Sequence, residues 1–256
     1  MSGLLIDSKK VKQKLIKFIR QQTKAAGSRR LILGLSGGLD SSLALYLGVQ
    51  AQGAKNVRGL ILPYRTSSAT SLNNAKLIAR KYGVKTQLIK ITPQIDAYFK
   101  QCPGANRIRR GNKMARERMS ILYDQSKAWG ALVLGTSNKT ELLLGYGTLY
   151  GDVACAFNPL GSLYKTQIRQ LAQDVGIPAK IIEQVPTAGL WPGQTDEGEL
   201  GLTYERVDKL LYYLVDRKFI QPRLIQLGFK KGMIAKVRKL IADNAFKGRP
   251  PTICAV

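Results

Sequence analysis

The chain of 256 residues predicts an α/β fold: a doubly wound parallel sheet with extra helices at both ends. Three observations carry this reading. Four short runs, at 31–35, 57–62, 85–91 and 131–134, read as strands, and all but the third have the apolar composition of buried ones. Segments of helical period separate them, and strands that alternate with helices form a parallel sheet covered on both faces. The first and fourth runs leave through polar, glycine-bearing turns at 36–42 and 135–138. In such sheets ligands bind beyond the carboxyl ends of the strands, so one ligand can touch both turns.

The elements follow in order. Asp7 or Ser8 caps a first helix with Val11, Leu15, Phe18 and Ile19 on its apolar face and lysines on the other. The strand at 31–35 leads through its turn into a helix that runs to Gln52. The strand at 57–62 stops at Pro63-Tyr64. A helix at 71–82 buries Leu72, Ala75, Ile78 and Ala79 and ends at Gly83. After the third strand, 95–99 reads as a short helix and 106–129 as a long one. Residues 145–152 hold too many glycines for a helix. A helix at 160–175 is stopped by Gly176 and Pro178. The segment 185–203 reads as a long loop of the kind that forms lids, mobile when empty and closed over bound substrates. Residues 204–245 read as helices.

Composition narrows the function. There are 41 basic and 16 acidic residues, a net charge of +25, and no histidine. Histidine general-base chemistry and Ser-His triads are therefore excluded. Metal ions, fixed charges and positioning remain as catalytic means. The basic residues are spread along the chain, which suits steering of a small polyanion as well as nucleic-acid binding. Cys102, Cys155 and Cys254 are far apart and odd in number, as expected in a reducing cytosol. No apolar run approaches the ~20 residues that span a bilayer, and 1–17 lacks the pattern of a signal peptide. These features predict a cytoplasmic protein.

The turn Ser36-Gly37-Gly38-Leu39-Asp40-Ser41-Ser42 joins a strand to a helix N-terminus. Unpaired N–H groups and the helix dipole make such a junction an anion site. Asp40 makes sense beside phosphate when a magnesium ion lies between them. The Walker and dinucleotide patterns do not fit, because no lysine follows these glycines and no third glycine is spaced for it. Ser-Gly-Gly-x-Asp-Ser after a strand resembles the pyrophosphate loop of enzymes that cleave ATP between the α and β phosphates.

The segment Gly135 to Glu141 offers a hydroxyl and a carboxylate at the second turn, although Thr or Asn followed by Glu is also an ordinary helix start. With Tyr150-Gly151-Asp152, Pro159-Leu160 to Lys165, Pro186-Thr187-Ala188-Gly189-Leu190, Asp196-Glu197 and Lys247 to Pro251, the order and spacing resemble the NAD synthetases over nearly the whole chain. The resemblance implies an adenine-nucleotide α-hydrolase-like (Rossmann-like) fold and one synthetase domain over 1–256. It implies amidation of deamido-NAD, with ATP as co-substrate and Mg²⁺ as cofactor, through an acyl adenylate. On this resemblance Gly34, Leu35, Ser36, Gly37, Gly38, Leu39, Asp40 and Ser41 cradle the ATP phosphates. Thr136, Lys165 and Thr187 contact ATP, Asp40 and Glu141 bind Mg²⁺, and Asp40 and Lys165 are catalytic. Arg116 and Lys247 bind deamido-NAD. Asp152 and Asp196 are offered for taking a proton from ammonium. The family is homodimeric, which makes the apolar faces of 106–129 and 204–245 candidate subunit surfaces.

Leu149, Ala156 and Phe246 depart from the Lys, Asp and His of the ammonia-dependent pattern, and no role is carried to them. The wording Gly-Tyr-Gly-Thr-Leu-Tyr-Gly-Asp is similar to the synthetase domain of the glutamine-dependent branch, so nitrogen comes from free ammonia or from a separate glutaminase. Free ammonia is the favoured source. The rivals are a tRNA-modifying ATP pyrophosphatase, the ATP-cleaving half of another amidotransferase, and a non-catalytic RNA-binding scaffold. The cysteine spacing argues against a thiolating enzyme, and intact Asp40, Glu141 and Lys165 argue against a degenerate scaffold.

Overall fold

The structure, a computed structural model, describes residues 3–191, 193–249 and 253–254. Pro250 and Pro251, the end of the last motif, lie outside them. Strands β1 (Arg30–Gly34), β2 (Val57–Ile61), β3 (Lys85–Leu88) and β4 (Ala131–Val133) form a parallel sheet in the order β3-β2-β1-β4. Leu31 pairs with Val57 and Leu132, which places β1 at the centre. Its side chains alternate as a strand demands. Leu31 and Leu33 enter one apolar cluster, and Ile32 enters the other on the opposite face.

The first face is covered by helices α1 (Ser8–Ala25), α2 (Leu39–Gln52) and α3 (Ala69–Lys81), joined later in the chain by α7 (Lys165–Asp174) and α8 (Ala179–Ile182). Asp7 caps α1 by accepting the Lys10 N–H at 3.0 Å. Helix α2 is largely apolar and, Asp40 apart, buried from Leu39 to Gly48, the pattern of a helix inside a core. The second face is covered by α4 (Thr92–Gln101) and α5 (Arg107–Trp129), the latter closed by Gly130 in the left-handed conformation.

A third cluster lies beyond the sheet. It joins α6 (Lys139–Leu144), α9 (Asp196–Leu200), α10 (Tyr204–Leu211), α11 (Gln221–Gln226) and α12 (Lys231–Asn244). One π-helical turn, Tyr212–Asp216, follows α10.

Several expectations are corrected. The helix expected from 160 begins at Lys165, and 160–164 form turns. The third strand stops at Leu88, although Ile89 still donates to the Ile61 carbonyl at 3.0 Å. The loop 185–203 contains α9. The chain beside β4 continues the sheet by one parallel bridge, Leu134 to Phe157. Within the segments 106–129 and 204–245, Met114, Met119 and Leu122 pack on the sheet, and Val207, Leu211, Ile234 and Val237 pack on one another, while Ile108, Tyr123, Ile220 and Ile225 stay exposed.

Candidate active site

Two chain segments leave adjacent strands on the same side of the sheet and build the site. After β1, Leu35 still donates to the Leu60 carbonyl at 2.8 Å. The chain then turns through Gly37 at φ +84°, a conformation open to glycine. A β-carbon there would also run into the Ser71 carbonyl oxygen of α3. Gly38 is the N-cap of α2 and brings no capping side chain, so the first N–H groups of that helix face the cleft as an anion site. The hydroxyls of Ser36 and Ser41 meet at 3.0 Å, and Ser42 donates to the Gly38 carbonyl at 2.8 Å.

After β4, Asn138 starts α6 with a reciprocal capping box. Its Oδ1 accepts the Glu141 N–H at 3.0 Å, and its own N–H donates to Glu141 Oε2 at 3.1 Å. Its Nδ2 donates to Asp40 Oδ1 at 2.9 Å. One fully buried residue thereby holds both proposed magnesium carboxylates, Asp40 through its side chain and Glu141 through its backbone N–H. Lys165, the first residue of α7, extends its ammonium between them. It bonds Asp40 Oδ2 and lies 3.6 Å from Glu141 Oε1.

Burial and the charge of Asp40 push the Glu141 carboxyl up to about 8, against the pull of Lys165. Burial works against the Lys165 charge, but Asp40 and Glu141 outweigh it and hold the ammonium above its ordinary pKa. Asp196 is raised by burial. It accepts the Tyr204 hydroxyl at 2.9 Å, and the Lys165 Nζ lies 5.3 Å from the Tyr204 ring centroid. Asp152 is raised in the same way, with the Thr148 N–H drawing it back.

These groups line one cleft of about 680 Å³, within the range of small-molecule sites. Gly34, Leu35, Ser36, Gly38, Leu39, Asp40 and Ser41 form one wall, and Thr136, Glu141, Lys165 and Thr187 lie around it. Asp152 and Asp196 also reach it. Gly37 shapes the wall from behind. Arg116 and Lys247 do not line this cleft. Arg116 Nε donates to the Leu149 carbonyl at 3.1 Å, and Lys247 Nζ to the carbonyls of Gly145 and Gly147 at 2.7 and 3.0 Å. Both hold the same glycine-rich turn, and Lys247 lines a small second cavity beside Glu141.

Sequence reasoning gave no role to Arg118, which faces the cleft and donates to the Leu62 carbonyl at 3.0 Å. Burial lowers its guanidinium to about 10, with Asp152 opposing. The signal was present as helical spacing: Ile108, Asn112, Ala115 and Arg118 share a face of α5 and all reach the cleft.

The family model described as NAD synthase matches residues 11–251. The chain belongs to the NAD synthase family. Within that family, the NH₃-dependent NAD⁺ synthetase of Trichlorobacter lovleyi is 50% identical over 256 residues, covering 100% of this chain and 94% of that one. Among solved structures, the NH₃-dependent NAD synthetase of Campylobacter jejuni superposes with a TM-score of 0.84 at 35% identity, covering 98% of this chain and 100% of that one. The NMN synthetase of Francisella tularensis gives a TM-score of 0.87 at 27% identity with the same coverage. The adenine-nucleotide α-hydrolase fold expected of an NAD synthase is thus the observed one.

Proposed function

We propose that this chain is an ammonia-dependent NAD synthase, a ligase that converts deamido-NAD, ATP and ammonia into NAD, AMP and pyrophosphate. One observation carries the reading: the Asp40–Lys165–Glu141 cluster stands against a glycine-turn anion site, in a chain matched over its full length by NH₃-dependent relatives.

A nicotinate oxygen attacks the α-phosphorus, the bond to the bridging oxygen of the β-phosphate breaks, and pyrophosphate carries away the electron pair. The N–H groups at the start of α2 and the Lys165 ammonium face the charge that develops there. Ammonia then attacks the acyl carbon and AMP leaves. Asp152 and Asp196 are the carboxylates that can take the ammonium proton, since both reach the cleft and both have raised proton affinity. Asp196 Oδ1 is buried and has no hydrogen-bond partner among the described residues, which favours it for a small N–H donor.

The residues fit a magnesium ion. Asp40 and Glu141 already flank a cation, the Lys165 ammonium, and burial makes an uncompensated charge on Glu141 costly. Two carboxylates completed by phosphate oxygens are an ordinary Mg²⁺ environment. Bound there, the ion neutralises phosphate charge and polarises the reacting phosphoryl group. Arg116 and Lys247 meet deamido-NAD at the turn 145–149, which both of them brace. Deamido-NAD lies near a subunit interface in a homodimer, whose mass sedimentation reads. Among the described residues no helix is long and apolar enough to cross a membrane, and a cytoplasmic site of action fits the chemistry.

The deciding assay gives pure protein ATP, Mg²⁺, ammonium and deamido-NAD and measures NAD, AMP and pyrophosphate, expected in equal amounts. ATP cleavage without NAD overturns the reading. Nicotinate mononucleotide runs in parallel, because an NMN synthetase shares this fold so closely. Preference for it would change the acceptor and leave the chemistry. Glutamine replaces ammonium in a third arm, where free-ammonia use predicts no product.

A further inference from the structure

We propose that Asp208 of α10 is a positioning residue that sets Lys165 in the cleft through Thr140 and Thr166; this rests on the ligase reading above. Helices α6 and α7 begin side by side, with the Lys139 N–H donating to the Leu163 carbonyl at 2.8 Å. Each carries one member of the cluster, Glu141 or Lys165. Asp208 is fully buried between their starts. Its Oδ1 accepts the Thr140 hydroxyl at 2.6 Å, and its Oδ2 accepts the Thr166 N–H at 2.8 Å. Thr140 Oγ1 in turn accepts the Lys165 N–H at 3.1 Å.

The polarity of this chain is forced. A carboxylate only accepts, so the Thr140 proton points at Asp208 and a lone pair is left for Lys165. The first two amides of α7, which lack acceptors inside their helix, are both satisfied from one carboxylate, directly or through one hydroxyl. A buried anion at a helix N-terminus is also favoured by the dipole. Tyr204, one turn earlier on α10, places its ring beside the Lys165 ammonium and its hydroxyl on Asp196. One face of α10 thus holds Lys165 at its backbone and at its charge. Lys165 is 4% exposed, and a misplacement on the order of 1 Å in such a group costs about 100-fold in rate. An apolar residue at position 208 would leave the Thr140 hydroxyl and the Thr166 N–H buried without an acceptor, so the carboxylate both satisfies these groups and orients what they hold.

The test compares Thr140→Val, which keeps volume and removes the oxygen, with Thr140→Ser, which keeps the oxygen, and with Asp208→Asn. Thr140→Val and Asp208→Asn should lower kcat by roughly 10- to 100-fold, with KM for ATP and acceptor within about 3-fold. Thr140→Ser should stay within about 3-fold of wild type, and the double variant should be no worse than the more impaired single one. Amide exchange at Lys165 should be faster in Thr140→Val than in Thr140→Ser. Equal impairment of the two Thr140 variants, full additivity, or an unimpaired Thr140→Val overturns the proposal. Should Asp208→Asn fail to fold, the Thr140 pair decides. If wild type makes no NAD, the ligase reading fails by itself, and Lys165 exchange still decides: a difference between the Thr140 variants supports the hold, and equality overturns it.

Discussion

Asp40 divides its two oxygens between partners of different character, an amide from Asn138 and the ammonium of Lys165. Asp40→Asn would set an NH₂ group against one of those donors and remove a charge the phosphates need. Pyrophosphate release should fall by about 100-fold or more, with the far-ultraviolet circular dichroism unchanged. Undiminished release would contradict the metal role. Glu141 makes a pH prediction. Its folded pKa, about 8, stands above the 4.5 of an ordinary glutamate. Between these values the folded chain keeps a proton that the unfolded chain has lost, so stability falls as pH rises through that window. Denaturant titrations in chelator should show this slope, and Glu141→Gln should flatten it. Much at this scale was legible, because a motif names residue types that one ligand requires. Asp40, Thr136, Glu141, Lys165 and Thr187 do converge on the cleft. Asn138 was legible as a cap but not as the residue that aims Asp40, since that depends on a neighbour 98 positions away. Arg118 was hidden among arginines at 107, 109, 110 and 116, which share its charge.

The element between β1 and α2 works because one position has no side chain. Gly37→Ala meets both a positive φ and the Ser71 carbonyl, so the turn must move. The KM for ATP should rise by about 10-fold or more, and thermal stability should fall with it, because the atoms met are backbone and cannot rotate away. An unchanged KM would show that the turn does not shape the ATP site. The 185–203 segment has its own fastening. Asp196 donates its N–H to the Pro186 carbonyl at 3.0 Å, and Glu199 accepts from Tyr146 at 2.7 Å and Gln194 at 3.0 Å. Closure over substrate predicts slower proteolysis of this segment when ATP and deamido-NAD are both present; equal cutting with and without them would count against it. The long elements were legible because apolar period and caps agree there. Helices α6 and α9, of six and five residues, are too short to show a period. The bridge at Phe157 rests on a single residue pair.

For the whole molecule, a charge of +25 is a field felt by every anion that approaches. If it steers substrate, kcat/KM for deamido-NAD should drop about 3- to 10-fold between roughly 25 and 250 mM NaCl while kcat holds. A flat response would leave the charge without this use. The three apolar clusters divide the labour: two clasp the sheet, and the third stands behind the ends of α6 and α7. That division has a consequence during synthesis. Strand β1 gains its second neighbour only when Ala131–Val133 has been made, and the seat of Lys165 is complete only when Asp208 has been made. Parallel pairing over such separations is slow to form. A growing chain therefore displays the glycine turn long before it can hold Lys165 in place. The seat of Lys165 waits on Asp208, 42 positions beyond Thr166, while the glycine turn needs no such distant partner.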